Sequence, residues 1–103
     1  MIRHIVMWSL KEEAEGADRA TNVRKFVELL ESCRDVVPGI VEFETGTAQP
    51  GFEAGHDVVL NSLFESRAAL EAYQAHPTHE AIKPFLGAVR SARVCVDYEV
   101  PAK

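Results

Sequence analysis

The stretch IRHIVMWSL, residues 2–10, sets the first constraint on the fold because its side chains alternate between two faces. One face carries Ile2, His4, Val6, Trp8 and Leu10, and the other carries Arg3, Ile5, Met7 and Ser9. This period of two is typical of a β-strand. Charged residues interrupt and follow the stretch, and it has no small-residue cleavage pattern, so it is not expected to be a signal peptide.

The segment after this strand predicts a helix. After a charged loop over residues 11–17, Asp18 or Thr21 is suited to cap a helix. An apolar stripe at steps of three and four then runs through Val23, Phe26, Val27, Leu30, Cys33 and Val37. Pro38 and Gly39 are expected to end the helix. Residues 40–47 alternate again and predict a second strand, with Val41 and Phe43 on one face.

The second half of the chain repeats the pattern with a strand, helical segments and a strand. HDVVLNSLF, residues 56–64, reads as the third strand, and Ser66 is placed to cap the next helix. Pro77 should close that helix, and Thr78 should cap a new one, which Pro84 is expected to kink or shorten. Residues 92–100 alternate once more and predict the last strand.

The order strand, helix, strand, strand, helix, strand predicts a ferredoxin-like α+β fold, βαββαβ, with a four-stranded antiparallel sheet and both helices on one face. We take the even-numbered residues of the first and last strands as helix-facing. The other face then holds Ile5, Met7, Val59 and Leu63 among polar residues. A face of this composition favours cover by a second copy, so we expect a homodimer in which two sheets form an α+β barrel.

Composition narrows the possible functions. The chain has 103 residues, 47% of them apolar, which suits a single domain over 1–103. Its formal charge of −5 and scattered basic residues argue against nucleic acid as a partner. No apolar run is long enough for a membrane span, and a cytoplasmic location is expected. Cys33 and Cys95 lack the spacing of a disulfide framework or zinc site, and both are predicted to be buried apolar residues.

The decapeptide AYQAHPTHEA, residues 72–81, concentrates the reactive side chains of the chain. His79 is suited to act as a general base near neutral pH. Tyr73 is suited to donate a hydrogen bond to a developing enolate, although a tyrosine at its spacing also fits the core. On an unbroken helix the two would diverge, so the break at Pro77 is what would let them converge. His76, on the Tyr73 side, is expected to cap the broken helix end.

His4 lies on the apolar face of the first strand and must find a hydrogen-bond partner or border a cavity. Trp8, on the same face, would either line such a cavity or fill it. His76 and His79 have a spacing of three, but Pro77 spoils the helical geometry that such a pair needs, so no metal is expected.

Three segments carry a resemblance to a known family: IRHIVMWSLKEE, VPGIVEFETG and GHDVVLNSLFESRAALEAYQAHPTHEAIKPFL. Together they resemble the stress-responsive alpha/beta-barrel family, Dabb, whose members are dimeric ferredoxin-like proteins. A plant branch of the family comprises polyketide cyclases. The tyrosine and histidine that act together in that branch fall on Tyr73 and His79, and its first-strand histidine falls on His4. A further histidine of that branch falls on Val58, where this chain departs from the pattern.

The resemblance and the residues together predict a stress-responsive protein that binds a small organic ligand. In this prediction His79 and Tyr73 are catalytic, and His4, Trp8, Val58 and Phe26 contact the substrate. The reaction would be that of a lyase, cyclase or isomerase that needs no cofactor. A non-enzymatic dimeric binding or structural protein is the alternative. A monooxygenase of the same dimeric barrel fold is a further alternative.

Overall fold

The computed structural model describes residues 1–102, and in them a four-stranded sheet packs against three helices. In chain order the elements are β1 (Ile2–Leu10), β2 (Glu13–Ala14), β3 (Ala17–Asp18), α1 (Arg19–Glu31), β4 (Ile40–Thr47), β5 (Val58–Phe64), α2 (Arg67–Ala75), α3 (Pro77–Val89) and β6 (Arg90–Glu99). The sheet order is β4-β5-β1-β6, and neighbouring strands are antiparallel. The predicted ferredoxin-like fold is therefore confirmed. None of the helices in this range is long and apolar enough to cross a membrane.

The buried face of the sheet is set by the alternation in β1. All five even-numbered side chains of this strand are buried, and the polar His4 is among them with 3% of its surface exposed. Pairing with β5 places His4 opposite Ser62 and Trp8 opposite Val58. Phe26 and Leu30 of α1 pack onto this face, as do buried residues of α2 and α3. The helices and the sheet thus enclose one core.

The first helix begins where the sequence predicts but ends earlier. The Asp18 carboxylate accepts a hydrogen bond from the Thr21 N–H at 2.8 Å, which confirms Asp18 as the cap. The helix ends at Glu31, not at Pro38, because the chain tightens into i to i+3 bonds: the Cys33 N–H donates to Leu30 O and the Arg34 N–H to Glu31 O. Cys33 is still buried in this tightened turn, so the pattern of buried apolar residues continues beyond the end of the helix.

The charged segment before α1 is more ordered than a loop. Residues 11–17 were predicted to be irregular, but β2 and β3 form a short hairpin within this region. Its turn residues, Glu15 and Gly16, have φ angles of 51° and 75°. Positive φ at both central positions is the signature of a type I′ hairpin turn, for which glycine is well suited.

The joint between α2 and α3 is a single residue. Ser66 caps α2 as predicted, its Oγ accepting from the Ala69 N–H at 3.1 Å. His76 has extended backbone angles and both ends α2 and caps α3, where its Nδ1 accepts from the Thr78 N–H at 3.1 Å. The prediction that Thr78 is this cap was therefore wrong. Pro77 occupies the first turn, where its missing N–H removes no helical hydrogen bond.

Pro84 does not shorten the helix in which it lies, because α3 runs continuously from Pro77 to Val89. Burial of Ile82, Leu86 and Val89 on one side of α3 holds this helix against the core. Tertiary packing of an apolar stripe commonly outweighs a local propensity against helix.

The face prediction for β6 was wrong. Its register pairs His4 with Asp97, Val6 with Cys95 and Trp8 with Arg93, and directly opposed side chains project to the same face of a sheet. The odd-numbered residues of β6 therefore lie on the helix side, and Cys95 is exposed there, contrary to its predicted burial.

The reversal adds apolar residues to the outer face of the sheet. Val94, Val96 and Tyr98 lie there together with Ile5 and Met7. The three β6 residues are each about half exposed, at 46%, 53% and 46%. On β4 a register shift between Ile40 and Glu42 leaves Val41 exposed, whereas Phe43, predicted to share its face, is buried.

Gly39 is the position in the backbone where a side chain would be least tolerated. Its φ is +92°, and a Cβ built there would lie 2.9 Å from Ala69 Cβ. We expect Gly39→Ala to lower the free energy of unfolding by about 1–3 kcal/mol, measured by urea denaturation. Gly51→Ala is the matched control, because φ is +88° there but nothing lies within 4 Å. Equal losses in both variants would contradict the steric explanation.

Candidate functional site

A cavity of about 370 Å³ opens between the helix-facing side of the sheet and helices α2 and α3. Its apolar residues come from the sheet and from helices α1 and α3, and they include Val6, Trp8, Leu30, Leu60 and Leu86. Three polar rings also line it, those of His4, Tyr73 and His79. The volume is at the small end of the range for ligand pockets.

The joint at His76 brings Tyr73 and His79 into contact. Tyr73 is fully buried on the core side of α2, and His79 is half-buried in the first turn of α3. Their ring centroids lie 4.7 Å apart with the planes tilted by 55°. The phenol and the imidazole thus meet in the cavity wall, as the break at Pro77 predicts.

The hydrogen bonds of His79 fix which ring nitrogen is available. Its Nδ1 lies 3.1 Å from the Gln74 carbonyl oxygen, which can only accept, so Nδ1 carries the hydrogen and donates. Nε2 then holds the free lone pair. Burial lowers the pKa of His79 and the nearby Lys83 ammonium adds to this, while the bond to Gln74 opposes it. The imidazole is therefore neutral at pH 7 and able to accept a proton at Nε2.

The hydroxyl of Tyr73 has no hydrogen-bond partner among residues 1–102, although it is fully buried. Leaving such a group unpaired destabilises the fold by about 1–3 kcal/mol, unless a bound molecule accepts the hydrogen bond. Burial, and secondarily the Cys33 sulfur, raises the pKa of Tyr73 well above its usual value. The phenol therefore stays protonated at any physiological pH and remains a hydrogen-bond donor.

His4 is held by a carboxylate that the sequence analysis did not identify. Its Nδ1 lies 2.5 Å from Asp97 Oδ1, and the carboxylate accepts this bond. The His4 ring is also near Tyr73, with centroids 6.5 Å apart. Asp97 was missed because the face prediction for β6 placed it on the far side of the sheet. The register between the first and last strands was the information needed to find it.

One group of potential metal ligands occurs within residues 1–102. His4 Nδ1, Cys95 Sγ and an Asp97 carboxylate oxygen lie within 4.8 Å of one another. Two nitrogen or oxygen ligands of a tetrahedral zinc ion lie roughly 3.3 Å apart, given bonds of about 2.0–2.1 Å. The 2.5 Å between His4 and Asp97 is that of a hydrogen bond, so a metal would have to spread the two groups. His76 and His79, the pair weighed from the sequence, are not in this group.

The remaining predicted substrate contacts divide into two groups. Trp8 lines the cavity, whereas Phe26 and Val58 lie outside its wall. Phe26 packs edge-on against Trp8 with ring centroids 4.9 Å apart, and Val58 is buried opposite Trp8 on β5. Both are neighbours of the tryptophan and do not line the cavity. The cavity is also lined by Lys83, Arg90 and Arg93, which were not predicted to belong to the site. Their place depends on how α3 and β6 pack, which no local pattern shows.

The fold places the chain among the ferredoxin-like α+β proteins. Within that class it belongs to the Dabb family, since the family model described as Stress responsive A/B Barrel Domain matches residues 2–100. No curated protein matches the chain.

Solved structures agree with this assignment. A dimeric ferredoxin-like protein of unknown function from Bacteroides fragilis NCTC 9343 is 26% identical, with a TM-score of 0.80 over 96% of this chain and 95% of that chain. A second such dimeric protein, from Jannaschia sp. CCS1, is 28% identical, with a TM-score of 0.71 over 96% and 98%. A structure described as an antibiotic biosynthesis monooxygenase shares 19% identity and a TM-score of 0.73 over 99% and 100%, which shows a common fold alone.

Proposed function

We propose that the cavity binds a small carbonyl or phenolic compound and that the protein performs cofactor-independent acid–base chemistry on it, as a lyase, cyclase or isomerase does. The observation that carries this proposal is the contact between the ring of Tyr73, whose hydroxyl is unpaired and protonated, and the ring of His79, whose Nε2 is free. A donor without a partner and a neutral base in the wall of one cavity are the two groups that enolate formation requires.

The chemistry follows from these two groups. His79 Nε2 removes a proton from the carbon next to a substrate carbonyl, and the electron pair of the broken C–H bond moves onto the carbonyl oxygen. Tyr73 donates a hydrogen bond to the enolate oxygen as the charge develops. In a ring closure the enolate carbon attacks a second carbonyl of the same molecule, and the new alkoxide takes the proton back from His79. No oxidant or reductant is consumed.

His4 has a supporting role in this proposal. Asp97 binds its Nδ1, so Nε2 is the ring atom left for the substrate, and the ring lies near Tyr73. A carboxylate that holds the far nitrogen of an imidazole fixes both its tautomer and its orientation. His4 would therefore orient the substrate relative to the phenol.

A ligand screen tests the proposal. Thermal shifts of the wild-type protein are measured against ketones, phenols and polyketide-like compounds, in parallel with a Tyr73→Phe/His79→Gln double variant. A compound that binds the cavity raises the apparent stability of the wild type by mass action and that of the double variant much less. Equal shifts in both proteins for every compound would refute binding at these residues. A ligand that binds but is never consumed would instead favour the non-enzymatic alternative.

The proposal also includes a homodimer formed through the outer face of the sheet. Met7, Val94, Val96 and Tyr98 expose apolar surface there, and exposed apolar patches of this kind commonly mark interfaces. The similar structures from Bacteroides fragilis and Jannaschia are dimeric, which supports the same assembly here. A second copy of the same face would cover all four residues by two-fold symmetry.

Val96→Asp is expected to turn the dimer into a monomer, because a carboxylate would lose its hydration at the centre of the apolar face. Sedimentation should then give the mass of one chain, 11.4 kDa, at a concentration where the wild type is dimeric. Ala72→Asp adds the same charge on the exposed side of α2 and is expected to remain dimeric. A dimeric Val96→Asp protein would show that the interface lies elsewhere.

A further inference from the structure

The charge on the cavity wall is opposite in sign to that of the protein. The chain has 16 acidic and 11 basic residues, a formal charge of −5. Yet the formally charged residues that line the cavity within residues 1–102 are Lys83, Arg90 and Arg93, and no aspartate or glutamate lines it. Acidic residues outnumber basic ones in the chain as a whole, so overall composition does not account for the excess of positive charge at the cavity.

Two of these cations have no carboxylate to balance them. Lys83 is paired with Glu80 at 2.7 Å. Within the described part of the chain, Arg90 and Arg93 form no ion pair. The side chain of Arg93 does interact with the Cys95 thiol, whose pKa is raised by partial desolvation and by the nearby Asp97 carboxylate, so the thiol is neutral at pH 7. The nearest carboxylate on the same strand face, Asp97, is bonded to His4.

The positions of these residues give the cavity a direction. Arg90 is the residue that follows α3, and Arg93 lies opposite Trp8 on the edge strand β6; both are exposed. Tyr73 and the apolar residues of β1 and α1 lie deeper and are buried. The wall is therefore cationic at its mouth, apolar inside, and equipped with a hydrogen-bond donor at Tyr73.

We propose that the ligand is an organic carboxylate with an apolar body, such as a keto acid, whose carboxylate is bound by Arg90 and Arg93 while its ketone meets Tyr73. This inference rests on the proposed function and names its substrate class. Guanidinium groups match the planar geometry of a carboxylate with two parallel hydrogen bonds. The net negative charge of the protein repels anions, so binding of a carboxylate would depend on these two arginines and not on the net charge.

The test uses two ligands of equal size, 4-oxo-4-phenylbutanoate and the neutral 4-oxo-4-phenylbutanamide, with dissociation constants measured by calorimetry at low and moderate salt. We expect the wild type to bind the carboxylate about tenfold more tightly, in the range for a charge-assisted hydrogen bond at a partly exposed site. The Arg90→Gln/Arg93→Gln variant should bind the two equally. Arg24→Gln/Arg67→Gln removes the same charge away from the cavity and should keep the preference.

Other results separate the two proposals. Equal binding of acid and amide by the wild type, lost in Tyr73→Phe, would overturn the carboxylate assignment and leave the site itself intact. A preference that persists in Arg90→Gln/Arg93→Gln would also overturn it. If neither ligand binds, the keto-acid class is refuted, while hits among neutral compounds in the wider screen would still support the proposed function.

Discussion

Tyr73→Phe is expected to make the protein more stable and less active. Removing the hydroxyl deletes a buried donor that has no partner among residues 1–102, so the free energy of unfolding should rise by about 1–3 kcal/mol. The same change removes the proposed enolate donor, and the loss of one such donor typically lowers kcat by about 10²–10³. Urea denaturation and turnover of a ligand found in the screen give the two measurements. A group that only stabilises the core would move both quantities down or leave activity unchanged.

Ser91→Ala is the control for this prediction, because it removes an exposed hydroxyl outside the cavity. Its unfolding free energy should change little, since a hydroxyl in water has no unmet hydrogen bond. Destabilisation of Tyr73→Phe with normal ligand binding would show that the hydroxyl has an internal role and would remove the main support for the site.

His79→Gln is expected to lower kcat by about 10²–10⁴, the range for loss of a general base. Glutamine keeps a hydrogen-bonding side chain in the first turn of α3 but accepts no proton near neutral pH. His56→Gln is the matched control, since His56 bonds Ser9 at 2.8 Å and does not line the cavity. Comparable losses in the two variants would point to a general effect on folding and against a base at position 79.

The pH dependence of the wild type supplies a second readout for His79. Burial lowers the pKa of this imidazole below its usual 6.5, and the base works only when unprotonated. Therefore kcat/KM should be constant at neutral pH and fall as pH drops through the lowered pKa. The stability contribution has the same sign: the unfolded chain binds the proton first, so stability is full above about 6.5 and is lost below it until the folded state also protonates. An acid limb unchanged in His79→Gln would contradict the assignment.

The outline of the fold could be predicted from the sequence because it depends on local periodicity. Alternation over residues 2–10 and a stripe at helical spacing through Phe26 and Leu30 require a buried sheet face with helices against it. Ser66 was also predicted as a cap, and Asp18 as one of two candidates with Thr21, since short polar side chains before a helix accept hydrogen bonds from its first N–H groups. These features need no knowledge of distant partners.

The features that were not predicted depend on contacts between residues far apart in the sequence. The face on which Asp97 lies is decided by the register of β6 against β1, and a shift of one residue would reverse it. The alternation of β6 was visible, but its more apolar set, which includes Val94, Val96 and Tyr98, lies on the outer face, and neither set is buried in the chain alone. The continuity of α3 through Pro84 likewise depends on core packing that a propensity argument does not include. The contact between Tyr73 and His79 was accessible because a proline between them is a local signal.

The single residue between α2 and α3 has a consequence for how such chains can change in length. A helix advances by about 100° per residue, so one residue added or deleted in α3 between His76 and His79 would turn the His79 side chain away from the tyrosine by more than a quarter of a turn. Residues 49–55, between β4 and β5, are exposed and are expected to tolerate insertions. Insertions and deletions should therefore be found between β4 and β5 and not at the joint between α2 and α3.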